Sequence, residues 1–232
     1  MINGKYVIAV IPARGGSKRL PGKNTKLLAG KPLIRWTTQA AVASGEFDMV
    51  IVSTDSQAIA DIAIQDSGVI FPGLRPIELA SDTATTNDVI SHVVQWVEDN
   101  YSMVGIVAIL QPTSPFRTAQ HIKEAMALYK EKKATAVVSV CELDHPIQYC
   151  NRLPSDNSLN GFITPLVNKR SQELQPFYRL NGAIYLFDRQ HVGDLSGIYC
   201  ESSYAYLMDK KSSVDIDDEF DFLLAEAIEH HI

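Results

Sequence analysis

The segment Ile11-Pro12-Ala13-Arg14-Gly15-Gly16-Ser17-Lys18-Arg19-Leu20-Pro21-Gly22-Lys23-Asn24 gathers three glycines and four of the chain's 21 basic side chains. Glycines let backbone N–H groups come close to phosphate oxygens, and Arg14 and Lys23 are placed to add charge-assisted hydrogen bonds. The chemistry this suggests is binding of a polyphosphate. A solvated basic turn, with glycines kept for geometry, is the plainer alternative. Two familiar phosphate loops do not fit. A Walker loop needs four residues between its first glycine and Gly-Lys-Ser/Thr, whereas five separate Gly16 from Gly22 and Asn24 follows Lys23. The dinucleotide pattern Gly-x-Gly-x-x-Gly is absent because Gly15 and Gly16 are adjacent. A P-loop NTPase and a dinucleotide-dependent dehydrogenase are therefore disfavoured.

Near the other end, Val214-Asp215-Ile216-Asp217-Asp218 alternates apolar and acidic residues. As a short strand over 214–216, it would place Asp215 and Asp217 on one face with Cα atoms about 6.6 Å apart. Two carboxylates beside a phosphate loop suit Mg2+, which takes oxygen ligands and commonly shares them between protein and substrate phosphates. The alternative is an acidic helix entry, and Asp218 reads as an N-cap. Ser53-Thr54-Asp55 and Gln111-Pro112-Thr113-Ser114-Pro115 are further polar groups at predicted strand ends, with Arg75-Pro76 through Thr86 as a polar loop between them.

The elements that must position these residues alternate. Apolar runs at 6–12, 49–53, 106–110 and 135–140 read as strands buried on both faces, and 33–44, 56–67, 86–101 and 118–132 read as helices between them. Alternation of this kind predicts an α/β fold, with a mostly parallel sheet and helices on both faces. The pattern breaks over 141–176, where proline, asparagine and charged residues mix without a period, and this stretch reads as an insertion. Strands resume at 182–187 and 204–208. A last helix over about 218–230 offers Phe220, Leu223, Leu224, Ala227 and Ile228 as its buried face.

Composition narrows the classes. The 232 residues are 46% hydrophobic, with 27 acidic against 21 basic side chains and a formal net charge of −6. That acidic balance argues against a general nucleic-acid binder. The odd number of cysteines, Cys141, Cys150 and Cys200, contains no Cys-x-x-Cys pair and fits a reduced, cytoplasmic protein. The apolar run 6–11 is too short for a signal core or a membrane span, so neither export nor membrane insertion is expected.

Taken together, Ile11 through Lys18, Arg75-Pro76 through Ala80-Ser81-Asp82, Leu110-Gln111-Pro112-Thr113-Ser114-Pro115, Asn181-Gly182-Ala183-Ile184-Tyr185 and Asp215-Ile216-Asp217 appear in the order found in the CMP-sialic acid synthetases. The chain resembles this family, the acylneuraminate cytidylyltransferases, from Ile8 to about Ala227, least so over 141–175. Single tripeptides are weak signals; five motifs in order are specific.

The resemblance implies a nucleotide-diphospho-sugar transferase fold, Rossmann-like, with a catalytic domain of 1–140 and 177–232. It implies transfer of CMP from CTP to the anomeric hydroxyl of a nine-carbon α-keto acid sugar, N-acetylneuraminate first and legionaminate or another nonulosonate as the alternative, with release of pyrophosphate. Residue by residue, it implies Arg14, Ser17 and Lys23 at the triphosphate, Asn24 at the ribose, Arg75 and the backbone near Ala84 and Thr86 at cytosine, and Gln111 near sugar or ribose. Asn181 and Tyr185 would face the acceptor, Asp215 and Asp217 would bind Mg2+, and Asp217 is preferred as the proton acceptor. Arg170 and Arg179 are candidates for a fork on the sugar carboxylate. A homodimer built through the 141–176 insertion is also implied. The reading from another class is a noncatalytic nucleotide-sugar-binding regulator, disfavoured because a binding module needs neither a cation site nor a clamp on a leaving group.

Overall fold

The computed structural model describes residues 1–2, 4–81, 83–163 and 174–230. In chain order the strands are β1 (Tyr6–Pro12), β2 (Leu27–Leu28), β3 (Lys31–Pro32), β4 (Met49–Ser53), β5 (Val69–Ile70), β6 (Val104–Ile109), β7 (Ala136–Glu142), β8 (Tyr178–Asp188) and β9 (Ser203–Leu207). The α-helices are α1 (Leu33–Ser44), α2 (Gln57–Ala63), α3 (Thr86–Asn100), α4 (Ala119–Lys132) and α5 (Glu219–Glu229). Seven strands form one sheet in the order β5-β4-β1-β6-β8-β7-β9, and β2 and β3 form a separate hairpin. Only β8 runs antiparallel to its neighbours in the large sheet.

The sheet forms where the apolar runs are buried on both sides. Alternate residues of β1 serve opposite layers: Val7, Ala9 and Ile11 pack with residues of α1, α2 and α4, while Ile8 and Val10 pack with Ile90, Val93, Val94 and Val97 of α3. The helices are phased by their first turns. Thr85 with Asp88, Thr118 with His121, and Asp218 with Asp221 form reciprocal capping boxes at α3, α4 and α5. The expected N-caps at Thr118 and Asp218 are those observed.

A third core joins two segments far apart in sequence. Leu20 from the glycine-rich loop, Leu28, Leu33, Phe116, Ile216, Phe222 and Ala225 pack together. Burying a side chain such as Ile216, which is fully enclosed, stabilises by about 1.5–3 kcal/mol. This core therefore holds the glycine loop against the acidic segment.

Three expectations need correction. Residues 214–217 are not a strand: the segment makes one backbone bond to a neighbour, Ile216 N donating to Thr113 O at 2.8 Å, and so lacks the ladder a strand requires. The last helix buries Phe222 and Ala225, while Phe220, Leu223, Leu224 and Ala227 are exposed and Ile228 is only partly covered. It carries two apolar stripes, and packing against the third core selects the other one. Finally, β7 extends through Glu142 and β8 begins at Tyr178, so the irregular connection is shorter at its start than 141–176, and the strand expected over 182–187 is four residues longer at its beginning.

Candidate active site

The chain runs from β1 outward to β4 and β5 and then returns to β6 on the other side of β1. This is a topological switch point, where open α/β sheets form a ligand crevice beyond the strand ends. Two cavities lie there and share Pro12, Arg14, Pro112 and Thr113. One, of about 340 Å3, is lined by Ser17, Lys23, Asn24 and Asp217 among others; the second, of about 270 Å3, is lined by Arg75, Ala80, Ser81, Ala84, Thr86 and Gln111. A larger hollow of about 590 Å3 sits at the opposite end of the sheet around Lys5, Gly105 and Arg189, away from both motifs.

The glycine loop is braced by the end of β4. Asp55 Oδ1 accepts from Gly15 N at 2.8 Å, and a Cβ on Gly15 would lie 3.1 Å from Ser56 Cβ, closer than is comfortable. Asn24 is buried, and its Nδ2 donates to the Arg14 carbonyl at 3.0 Å, closing the loop on itself at the ribose candidate. Lys23 Nζ donates to Ile216 O at 2.7 Å and lies 3.5 Å from Asp217 Oδ1. Burial lowers the Lys23 ammonium pKa, while the charges of Asp217 and Asp215 oppose that shift. Arg19, a residue the motif reasoning did not single out, donates to Asp217 Oδ2 at 2.9 Å.

The acidic pair differs in setting. Asp217 is ion-paired and open to solvent, and its backbone N–H donates to Asp221 Oδ2 at 2.9 Å. Asp215 is half-buried, and its Oδ1 has no hydrogen-bond partner. Burial pushes the Asp215 carboxyl above the usual carboxylate range, with the charge of Asp217 adding to the effect. An unpartnered, buried carboxylate oxygen next to a second carboxylate is a donor set that fits Mg2+ when substrate phosphates complete the coordination. No group of three or more histidine, cysteine or acidic side chains suited to a metal occurs among the described residues.

In the second cavity, Arg75 is buried, and its guanidinium donates to Ser53 Oγ at 3.1 Å, Ser53 O at 2.5 Å and Leu79 O at 3.3 Å. Each terminal nitrogen keeps a second N–H, so Arg75 both builds the cavity wall and retains donors. The Ala84 N–H is turned inward to Ser81 O at 3.3 Å, whereas Thr86 opens α3 and lines the cavity. Gln111 also borders a neighbouring cavity of about 330 Å3, with Thr86, Tyr185, Leu195, Ile198 and Tyr199. Burial raises the Tyr185 phenol pKa, and the charge of Asp215 contributes.

Asn181 lines none of these cavities. It is 1% exposed and all of its amide is engaged: Oδ1 accepts from Ser139 Oγ at 2.6 Å and Ala183 N at 3.2 Å, while Nδ2 donates to Ser213 Oγ at 2.9 Å and Met208 Sδ at 3.4 Å. The reason lies in the sheet. Opposite Val138 and Val140 of β7 stand Tyr185 and Leu180 of β8, so residues 181–184 bulge out of the ladder. Ser139 fills the gap, with Oγ accepting from Ile184 N at 2.8 Å, and Asn181 satisfies the rest. Gly182, at φ +76°, stands at the apex, where a Cβ would lie 3.0 Å from Gln111 Oε1 and 3.8 Å from Asp215 Oδ2.

Arg179 is exposed and donates to Ser213 O at 3.3 Å; Arg170 lies outside the described residues. Arg117 was missed in the sequence, although a charged residue directly before the N-cap of α4 is a signal. Its guanidinium is fully buried and Nη1 donates to Gln111 O at 3.2 Å and Ala183 O at 3.1 Å, tying the end of β6 to the bulge. Burial without a carboxylate partner lowers its pKa to about 9.

Residues 8–211 match the cytidylyltransferase family model. The chain is 42% identical over 224 residues to the N-acylneuraminate cytidylyltransferase of Escherichia coli O18:K1:H7, covering 96% of this chain and 52% of that protein. It is 39% identical over 232 residues to the CMP-N,N'-diacetyllegionaminic acid synthase of Legionella pneumophila, covering 96% and 95%. It thus spans about half of the first relative and nearly all of the second. Its fold is that of a CMP:2-keto-3-deoxy-manno-octonic acid synthetase solved with CTP, with a TM-score of 0.70 at 18% identity, covering 98% of this chain and 99% of that one. With the glycine loop, the Arg75 loop and the Gln111 segment lining one switch-point crevice, the chain belongs to the cytidylyltransferase family, in the branch of the CMP-sialic acid synthetases.

Proposed function

We propose that the protein transfers CMP from CTP to the anomeric hydroxyl of N-acetylneuraminate, giving CMP-N-acetylneuraminate and pyrophosphate. The observation that supports this reading is the placement of Arg14, Lys23 and Asp217 around one crevice, with Asp215 close enough to feel the charges of Asp217 and Lys23. The cavity around Arg75, Ala84 and Thr86 would take cytosine, and the glycine loop with Ser17 and Lys23 the triphosphate. The cavity beside Gln111, with Tyr185 and Tyr199 on its walls, would take the acceptor sugar.

The sugar oxygen forms a bond to the α-phosphorus as the bond from that phosphorus to the bridging oxygen of pyrophosphate breaks. The hydroxyl proton passes to Asp217. Arg14 and Lys23 offset the negative charge that grows on pyrophosphate, and the crevice walls hold the two substrates in line. Asp215 and Asp217 would hold Mg2+, whose chemistry when bound is to polarise phosphate oxygens and to offset triphosphate charge.

Pairing of two copies is part of the reading. Between β7 and β8 and on the first residues of β8, the side chains of Ile147, Leu153, Leu159, Ile163, Phe177 and Leu180 are exposed, a concentration of apolar surface that suits a homodimer contact. The three cysteines are unpaired, as in a reduced cytoplasmic protein, and no described helix is long and apolar enough to cross a membrane.

The test is Mg2+-dependent pyrophosphate release from CTP with N-acetylneuraminate, legionaminate, pseudaminate and an eight-carbon keto sugar acid, with ATP, GTP and UTP as nucleotide controls. Release with CTP and N-acetylneuraminate is expected. Preference for legionaminate would move the acceptor, and silence with every sugar while CTP still binds would favour the noncatalytic reading. Light scattering of the protein in solution checks the dimer.

A further inference from the structure

Asn181 lies within the motif where a sugar ligand was expected, yet it has no donor or acceptor turned toward a cavity. Its network has a fixed direction. Ser213 Oγ spends its one proton on Asp209 O at 2.6 Å, so toward Asn181 it acts only as acceptor and needs the amide NH2. Ala183 N, which can only donate, reaches Asn181 Oδ1 at 3.2 Å and fixes the carbonyl end of the amide beside Ser139 Oγ, which accepts from Ile184 N. An asparagine meets both demands at once; a carboxylate would face Ser213 with two acceptors and no donor.

What this network reaches is the acidic segment. Ser213 is fully buried and stands two residues before Asp215, at the end of a turn that Asp209 also closes by accepting from Ser212 N at 2.8 Å. On the far side of the bulge, Arg117 holds Ala183 O. The apex residue Gly182 is thereby fixed between Gln111 and Asp215.

The geometry points to Asn181 as a positioning residue for the cation site: through Ser213 it sets the place of Asp215, and it does not touch the sugar. The inference rests on the cytidylyltransfer reading, because the cation site is part of that reading. Groups that orient metal ligands typically matter about 10- to 100-fold in metal affinity or activity.

The experiment is a titration of Mn2+ into protein saturated with CTP and free of sugar, following free Mn2+ by electron paramagnetic resonance, for wild type, Asn181→Ala, Ser213→Ala and the double variant. Steady-state kinetics of pyrophosphate release accompany it. Both single variants are expected to weaken Mn2+ binding about 10-fold or more. They should lower kcat while leaving KM for the sugar within about twofold. The double variant should be no worse than the weaker single one, since the two residues act in series. Unchanged Mn2+ affinity in Ser213→Ala, a rise confined to the sugar KM in Asn181→Ala, or effects that multiply would overturn the inference. Ser213→Ala, a loss of one hydroxyl, decides the matter if Asn181→Ala does not fold. A wild type that binds Mn2+ with CTP but releases no pyrophosphate with any sugar would sink the functional reading alone; failure of wild type to bind Mn2+ would sink the inference.

Discussion

The phosphate end of the crevice and the β8 bulge are both crowded with polar side chains, but they are built on opposite principles. At the phosphate end the groups are charged, partly solvated and paired with one another, as Arg19 and Lys23 are with Asp217. The exposed Arg19–Asp217 pair contributes about 0–1 kcal/mol and would exchange partners readily on binding of a triphosphate and a cation, whereas Lys23 is largely buried. In the bulge Ser139, Asn181 and Ser213 are neutral, buried and hydrogen-bonded to one another, and an unmet donor there costs about 1–3 kcal/mol. The difference teaches how to sort polar residues near a site: those whose bonds are cheap to exchange meet the ligand, and those whose bonds are costly to break hold the others in place.

Loss of the acidic pair should give the largest effect. Asp217→Asn is expected to lower pyrophosphate release by at least about 1,000-fold with the fold intact, because it removes the proposed cation ligand and proton acceptor; circular dichroism with a turnover assay checks it, and near-normal turnover would remove Asp217 from the chemistry. Gly182→Ala tests the bulge. A side chain at φ +76° costs about 1–2 kcal/mol of strain, and the new Cβ would press on Gln111, so both the unfolding midpoint and kcat should fall.

The two regions should also separate by pH. Burial lowers the Lys23 pKa, so its positive charge is lost at a lower pH than for an ordinary lysine, and CTP affinity should weaken on the alkaline side earlier than expected. Lys23→Arg should push that limb to higher pH, since arginine stays charged. On the acid side, the raised Asp215 pKa means that protons compete for the carboxylate from a higher pH than usual, so the Mn2+ concentration needed for half-saturation should rise as pH falls. Calorimetric titrations across pH would show both limbs. The smallest effect is expected from Arg19→Ala, a change in CTP affinity of about fivefold or less that shrinks with added salt, as befits an exposed pair. A large, salt-independent loss would place Arg19 among the fixed residues instead.

Much of the molecule was legible in the chain. The alternation of apolar runs with amphipathic segments located β1, β4 and α1 to the residue, and Thr118 and Asp218 were readable as caps, because periodicity and capping are local. The glycine loop and the acidic pair were also identifiable as types and spacings. Their convergence was expected from switch-point topology, and the third core with Leu20 and Ile216 is its physical agent.

Partnership was not legible. Whether Asn181 lines a cavity or bonds to Ser213, whether α5 buries Phe220 or Phe222, and whether 214–217 pairs as a strand all depend on groups distant in sequence. Side-chain type and spacing determined by themselves where most of the elements lie and which residues have the charge and backbone freedom that a polyphosphate and a cation would call for. Only the tertiary structure decided which of those residues are exposed to act and which are consumed as supports, because a hydrogen bond is a property of two groups and the second is found only when the chain has folded.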